Sequence, residues 1–527
     1  MNRTTIGSVM RGMCYSFVTL LFAASCANDN VAQDEQNKDN IPAGATLFTG
    51  TSQAEATTRT AILNHTKGAG ASVNWSSTDK IWVKDDDGTW QQSAAVSLPS
   101  ALDKAEGSFA LSGTYTGASH DILYTNMAVT GTQPQVEIKA TQTQSAPNNF
   151  DHAGESGDCG IATGSKSGSD YTFNLNHKAS YLCFIPRTSN EYVKRSKLIK
   201  VEIMSDDDIA GTYDIAADGS LTLASGGSKT ITVTTGSGFD IDNTADDMSK
   251  NATYAVVAPG THTFRIRYWL RNTTDNPKGP IEGTVSKIVT LNCTAGAIHD
   301  ITANLNPHDY DGKYYLWDAQ QNYWADHEWN SADPWQPTLT TQPANPNYPK
   351  SNTDSRWYHE GGGGPGRFDA TQSCATLPNA NEQSWYCMYG DPRWDADELW
   401  TTMDHLYKGG IWLKKKSVLQ ADHHYDTEKS ADGSTDLRTT SKDYSNRSSS
   451  ILPSVAAAGN YFYLPALGYY GPNVMQDLGS TGDYWSSSAS PWSSNTAAYS
   501  LGFGYGSDYV GVGTGFRDGG KRGDWPD

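Results

Sequence analysis

The chain has 527 residues, with 39 Lys and Arg against 58 Asp and Glu, so its net charge is −19. That balance excludes nucleic acid as a partner, because phosphates require a basic footprint. Charged residues are only 18% of the chain while Gly, Ser, Thr and Asn abound, so long helices should be scarce; the length exceeds what one core can fill and suggests about three domains.

Residues 1–25 carry Arg3 and Arg11, then an apolar run from Tyr15 to Ala24, and close on Ala23-Ala24-Ser25 before Cys26. This is a secretion signal, too short for a membrane span. Small residues running into a cysteine resemble the bacterial lipoprotein processing box, which implies that Cys26 becomes the lipidated first residue, anchored in the outer membrane. The other reading is an ordinary signal peptidase site with Cys26 incidental. Residues 26–45, with Asp29, Asp34, Glu35 and Asp39, form a flexible tether. They are similar to the surface-export signal of Bacteroidetes lipoproteins.

From residue 46 the chain shows short alternating strands such as Lys80-Ile81-Trp82-Val83 and Lys200-Val201-Glu202-Ile203, separated by turn clusters. Strands at this spacing predict β-sandwiches. The turn Asp85-Asp86-Asp87-Gly88 can be read as a calcium loop or a solvated hairpin. Its carboxylates are adjacent rather than alternating, which favours the hairpin. Tryptophan marks a boundary: 12 of the 16 lie after residue 310. Ala56-Thr57-Thr58-Arg59-Thr60, Val73-Asn74-Trp75, Asp79 to Val83 and Leu291 to Leu305 resemble a fimbrillin-like pilin. The resemblance covers roughly residues 46–305 and implies two sandwiches, here 46–165 and 166–306. It also implies surface pili, with other pilin subunits as partners through strand exchange, and proteolysis after an Arg near the first strand, matched by Arg59. Adding a strand to an open sheet edge gains a row of backbone hydrogen bonds. The alternatives are an Arg59 that is only a surface residue and a two-sandwich protein that does not polymerise.

In the last part, 307–527, Gly361 to Gly366 satisfies G-x-G-x-x-G, but no strand precedes it and no helix follows, so it is a loop. A helix is expected from Asp395, with Asp395 and Glu398 at its N-terminus, Leu399, Met403, Leu406 and Tyr407 on one face, and Gly409 as its stop. Asp391, Asp395, Asp397 and Glu398 are then helix-start carboxylates rather than an acid/base cluster. Tyr461 to Gly468 reads as a buried strand ending in a turn. Of seven cysteines, Cys14 lies in the signal and Cys26 at the lipid site; the remaining five are an odd set. Cys374 and Cys387 are close enough to pair, and free buried thiols fit equally.

Pro378 to Glu382, Leu399 to Met403, Phe462 to Gly468 and Gly482 to Ser488 resemble the C-type-lectin-like domain of the Fibrobacter succinogenes major-paralogue family, over about residues 311–522. The resemblance implies an α+β ligand-binding domain with Trp485 in its core. The family closes with an apolar-Arg pair that Arg517 to Arg522 lacks, so the last strand is expected to be short or frayed. The fold class is thus mainly β: two tandem pilin-type sandwiches followed by an α+β lectin-like domain.

The stretch from Tyr499 alternates with period two. Tyr499, Leu501, Phe503 and Tyr505 share one face, Val510 and Val512 follow on a second strand, and Gly506-Ser507-Asp508 is the turn. The outer positions Ser500, Gly502, Gly504, Gly511 and Gly513 are small, though glycine weakens a strand. Two readings fit: a binding face on a fixed scaffold, or a Gly-rich sheet edge. On the first, Trp492, Tyr505, Tyr509 and Phe516 supply contact area and Ser507, Asp508 and Thr514 polar contacts, as in paratopes. The family resemblance also implies a target of diversity-generating retroelements, which mutate adenines in AAC-type codons. Such codons never yield Lys, Glu, Gln or Met, and none occurs from Ser490 to Phe516. Any Gly/Ser-rich face shares that absence.

Catalytic motifs are lacking: no P-loop, no G-x-S-x-G and no H-E-x-x-H, since His327-Glu328 has no second His. Asp422-His423-His424-Tyr425-Asp426 lies in a polar loop without a second ligand cluster. No enzyme activity, cofactor or metal is expected. The expected function is a cell-surface adhesin, a pilus-tip subunit meeting a host, bacterial or glycan surface. The rivals are a glycan-binding lipoprotein not assembled into pili, a structural pilus cap, and an oxidase of the formylglycine-generating type.

Overall fold

Short strands with one apolar face build two sheet lobes and a head in the computed structural model, which describes residues 44–51, 61–63, 65–100, 104–274, 279–338, 345–362, 364–492, 495–504 and 508–527. Cys26, Arg59, Tyr505 and Ser507 lie outside these residues. The chain is mainly β; among the described residues one helix, Ala380–Tyr389, exceeds two turns.

In the first lobe, Phe48, Phe109, Tyr171 and Phe173 alternate inward from three neighbouring strands and meet Trp75. The strand Thr46–Thr51 pairs in parallel with Asp170–Asn174 on one side and antiparallel with Glu106–Leu111 on the other. Phe48 stacks on Tyr171 with ring centres 4.6 Å apart. In the Asp85 turn, Asp85 accepts from the Asp87 and Thr89 amides and Asp86 from Thr116, so these carboxylates hold their own hairpin.

The second lobe rests on the long strands Ser196–Ser205, Thr230–Asp240, Gly260–Asn272 and Ile281–Cys293, over a core that includes Phe184, Ile203, Phe264 and Tyr268. Its second layer sets Ser180–Arg187 between Thr253–Val257 and Ile298–Asn304. The sheets do not divide at 165/166. Gly160–Ser167 and Asp170–Asn174 are one hairpin of the first sheet, whereas the earlier strands Gln135–Ile138 and Thr141–Thr143 already pair with the second lobe. Strands on both sides of this crossing alternate alike, so nothing in the composition marks it.

The expected helix from Asp395 is instead a hairpin, Arg393–Thr402 with His405–Lys414. Met403 and Asp404 both have positive φ, 46° and 60°, and form the two-residue turn that suits the twist of a hairpin. Leu399, Met403, Leu406 and Tyr407 are buried, but from two strands and a turn rather than one helical face. The helix that forms begins at Asn379, whose side chain accepts from the Glu382 amide while Glu382 accepts from the Asn379 amide. Tyr461–Pro465 pairs with His405–Lys414, as a buried strand should.

The tail is not frayed. Tyr509–Phe516 pairs along its whole length with Ala497–Gly504. Beyond it, Arg522 is buried against Asp524 and the carbonyls of Asp311 and Lys313. Arg517 donates to the carbonyls of His359, Gly361 and Ala497 and so pins the Gly361 loop; burial lowers its pKa to about 10. Cys374 and Cys387 are free thiols in separate clusters.

Candidate functional site

The head's four-stranded antiparallel sheet runs Tyr444–Arg447, Tyr509–Phe516, Ala497–Gly504, Thr481–Ala489. Its inner side carries Tyr484, Tyr499, Leu501, Phe503, Val510 and Val512 against the helix Ala380–Tyr389. The inward set read from the alternation is therefore in place for every described member.

The outer side is only partly open. Ser500 is buried: the Lys521 ammonium donates to its hydroxyl at 2.9 Å, pairs with Asp483 at 2.8 Å, and lies 4.4 Å from the centre of the Trp485 ring. Trp485 faces this side too and is fully buried, its indole N–H donating to the Tyr315 carbonyl. Gly511 is also buried, because the Tyr509 ring lies across it. Ser500 and Gly511 are thus removed from the expected contact set. A lysine five residues past the strand end covers the first, and an i+2 neighbour covers the second.

Gly502 and Gly513 remain half-exposed, and Gly504 with them. A side chain at Gly502 would meet only the Gly482 carbonyl, at 3.9 Å, and one at Gly513 the Asp443 carboxylate, at 3.3 Å. Gly482 is the opposite case: a β-carbon there would fall within the Phe503 ring.

The exposed aromatics form two groups. Tyr509 and Asp508 sit at the turn end of the sheet, opposite Gly504. Phe516 sits at the other end, paired with Ala497, and Trp492 belongs to the connection leading into Ala497. Tyr509 and Phe516 are about 23 Å apart along one strand at ~3.3 Å per residue. Phe516 and Thr514 also share the parity of Val510 and Val512, so they emerge where the inner core ends rather than on the glycine side. Phe516 is 73% and Trp492 67% exposed, the most open aromatic side chains among the described residues.

Two further features escaped the sequence reading. The first is the junction between head and second lobe. Glu398 stands beside Thr284 in a parallel pairing, so the head's hairpin continues the second lobe's sheet. Arg267 donates to Asp395 at 2.8 Å and to the Thr284 hydroxyl, and Glu398 accepts from the Ser286 hydroxyl and amide. Burial and the nearby Asp395 charge push the Glu398 carboxyl up to about 7, against the Ser286 hydrogen bonds and the Arg267 charge. The second is a cleft of about 560 Å³ near this junction, lined by Tyr192, Tyr310, Trp329, Glu328 and Asp404 among others.

No family model and no curated protein matches this chain. Solved structures that align with it include a candidate cell adhesion protein from Bacteroides ovatus, at 14% identity over 49% of this chain and 92% of that one, with a TM-score of 0.31. Another from Bacteroides uniformis aligns at 16% identity over 50% and 94%, TM-score 0.28. The fimbrial anchor protein Mfa2 from Porphyromonas gingivalis aligns at 9% identity over 49% and 90%, TM-score 0.23. At TM-scores this low, these likenesses say nothing of what this chain does.

Proposed function

We propose that this chain is a cell-surface adhesin: a lipid-anchored pilus subunit, placed at the tip, whose C-terminal lectin-like head presents a ligand face of variable sequence. The observation that carries this reading is the pairing of a rigid inner face, packed on a capped helix, with exposed Tyr509 beside open glycines at one end of the sheet and exposed Phe516 and Trp492 at the other. Large exposed aromatics on a fixed scaffold give contact area at low entropy cost.

Codons 482–527 across sibling isolates, read beside any imperfect repeat next to a reverse transcriptase gene, test the variable face. Replacement is expected at Gly502, Asp508, Tyr509, Gly513, Thr514 and Phe516, matched to template adenines, with Gly482 and Ser500 constant. A uniform stretch without a repeat contradicts variability and leaves an adhesin of fixed specificity.

Assembly by strand exchange draws support from the first lobe. The strand Thr46–Thr51 precedes Arg59 and fills the place between two partners, so cleavage after Arg59 would free it and leave a gap for a donor strand. Trypsin-like digestion that releases the segment ending at Arg59, followed by capture of a pilin strand peptide, is the expected outcome; an uncut chain contradicts it.

A second reading is favoured by the cleft at the junction. Trp329 and Tyr310 with Glu328 and Asp404 suit a sugar ring, whose face stacks on an aromatic while its hydroxyls donate to carboxylates. Glycan binding abolished by Trp329→Ala and untouched by Phe516→Ala would select this reading.

A further inference from the structure

We propose that His65, Cys183 and Asp300 hold a divalent transition-metal ion of the zinc class, which staples an early hairpin to the second lobe. The three residues offer an imidazole nitrogen, a thiol sulfur and a carboxylate oxygen, all within 4.8 Å of one another. Two are set by the sheet. Cys183 and Asp300 face each other directly in the parallel pairing of Ser180–Arg187 with Ile298–Asn304, so both side chains leave the same face of adjacent strands. The third comes from elsewhere. His65 lies in the connection between the paired strands Ala61–Leu63 and Ser72–Asn74, and reaches Asp300 at 2.8 Å through Nε2.

The surroundings hold this arrangement independently. The Gly68 amide donates to the other Asp300 oxygen at 2.7 Å, and Lys67 pairs with Asp246, which Arg187 also holds at 2.8 Å. His65 is 3% exposed, so its imidazole is held in the interior beside Asp300. The ligating atom is Nε2, the nitrogen that faces Asp300, while Nδ1 lies on the far side of the ring. Around a tetrahedral ion the donors stand about 3.3–3.8 Å apart, so side-chain rotations on the order of 1 Å complete the geometry. Asp300 keeps a solvent-exposed edge, from which a water supplies the fourth ligand.

The donor set selects the ion. Thiolate with imidazole and a single carboxylate suits zinc or cobalt, whereas calcium and magnesium require oxygen. Cys183 binds as the thiolate, its proton passing to solvent, and thiolate plus carboxylate then neutralise the two positive charges in a buried place. The consequence is mechanical: the hairpin that follows Arg59 in the chain is locked onto the second lobe.

Cobalt(II) titration of the purified full chain tests the site. One equivalent should give a thiolate-to-cobalt charge-transfer band in the near ultraviolet, displaced by zinc. Cys183→Ser should remove the band, and His65→Ala and Asp300→Asn should each weaken binding at least tenfold. Should Cys183→Ser fail to fold, the other two variants decide. Zinc should raise the melting temperature of the parent chain and not that of His65→Ala. Absence of the band in the parent chain, a band that survives Cys183→Ser, or cobalt affinity unchanged in both His65→Ala and Asp300→Asn would overturn the proposal.

Discussion

Replacing Arg267 by alanine is expected to destabilise the chain by about 3–5 kcal/mol, because it leaves Asp395 buried without its counter-charge. Arg267 and Asp395 are nearly inaccessible, with side chains 8% and 3% exposed. The Thr284 hydroxyl loses its guanidinium donor in the same step. Denaturant unfolding gives the loss as a shift in midpoint, and limited proteolysis near Glu398 shows where the chain opens. The paired change Arg267→Met with Asp395→Leu should recover most of the stability, since apolar groups of similar size replace a buried ion pair at little cost. A loss below about 1 kcal/mol in the single variant would mean that the pair is not buried in solution.

The same junction makes stability depend on pH. The Glu398 carboxyl is raised from 4.5 to about 7 by burial and the Asp395 charge. Between these values the folded chain binds more protons at this site than the unfolded chain does, so stability falls as pH rises through that window and levels off above it. Glu398→Gln should flatten this slope and stabilise the chain at pH 8, while keeping an acceptor for the Ser286 hydroxyl. An unchanged slope would contradict the assignment.

The second large effect is expected at Trp485. Trp485→Ala should cost about 3–5 kcal/mol, the usual range for deleting a fully buried tryptophan. The indole fills the space between the head's sheet and the segment around Tyr315, and its face supports the Lys521 ammonium that covers Ser500. Calorimetry of the full chain should show the head melting earlier. Phe516→Ala, by contrast, should stay within about 0.5 kcal/mol of the parent, because an exposed side chain leaves no cavity.

What the sequence made legible follows from period. The strands of residues 497–516 were readable because apolar residues recur every second position and the core fills one side only. Leu399 to Tyr407 misled for a physical reason. Spacings of four, seven and eight fit a helical face, and they also fit two strands joined by a turn at Met403-Asp404, a dipeptide that carries no glycine to announce it. The acidic residues before Leu399 reinforce the helix reading, although two of them, Asp395 and Glu398, meet Arg267, Thr284 and Ser286 from more than 100 residues away. The true helix start, Asn379 with Glu382, is a local capping signal of the expected kind. The coverings of Ser500 and Gly511 depend on where a lysine and a tyrosine side chain lie, which alternation does not encode. The cluster of His65, Cys183 and Asp300 joins three distant segments, and no spacing rule reaches it.

On the proposed function, the exposed aromatics of the head make contact with a surface. The most direct measurement is adhesion of the purified chain to a panel of immobilised glycans, host-cell surfaces and bacterial surfaces, comparing the parent with the variant Trp492→Ala/Tyr509→Ala/Phe516→Ala. The parent should bind a surface and the variant at least tenfold less, with equal melting temperatures. Binding equal in both chains would contradict it.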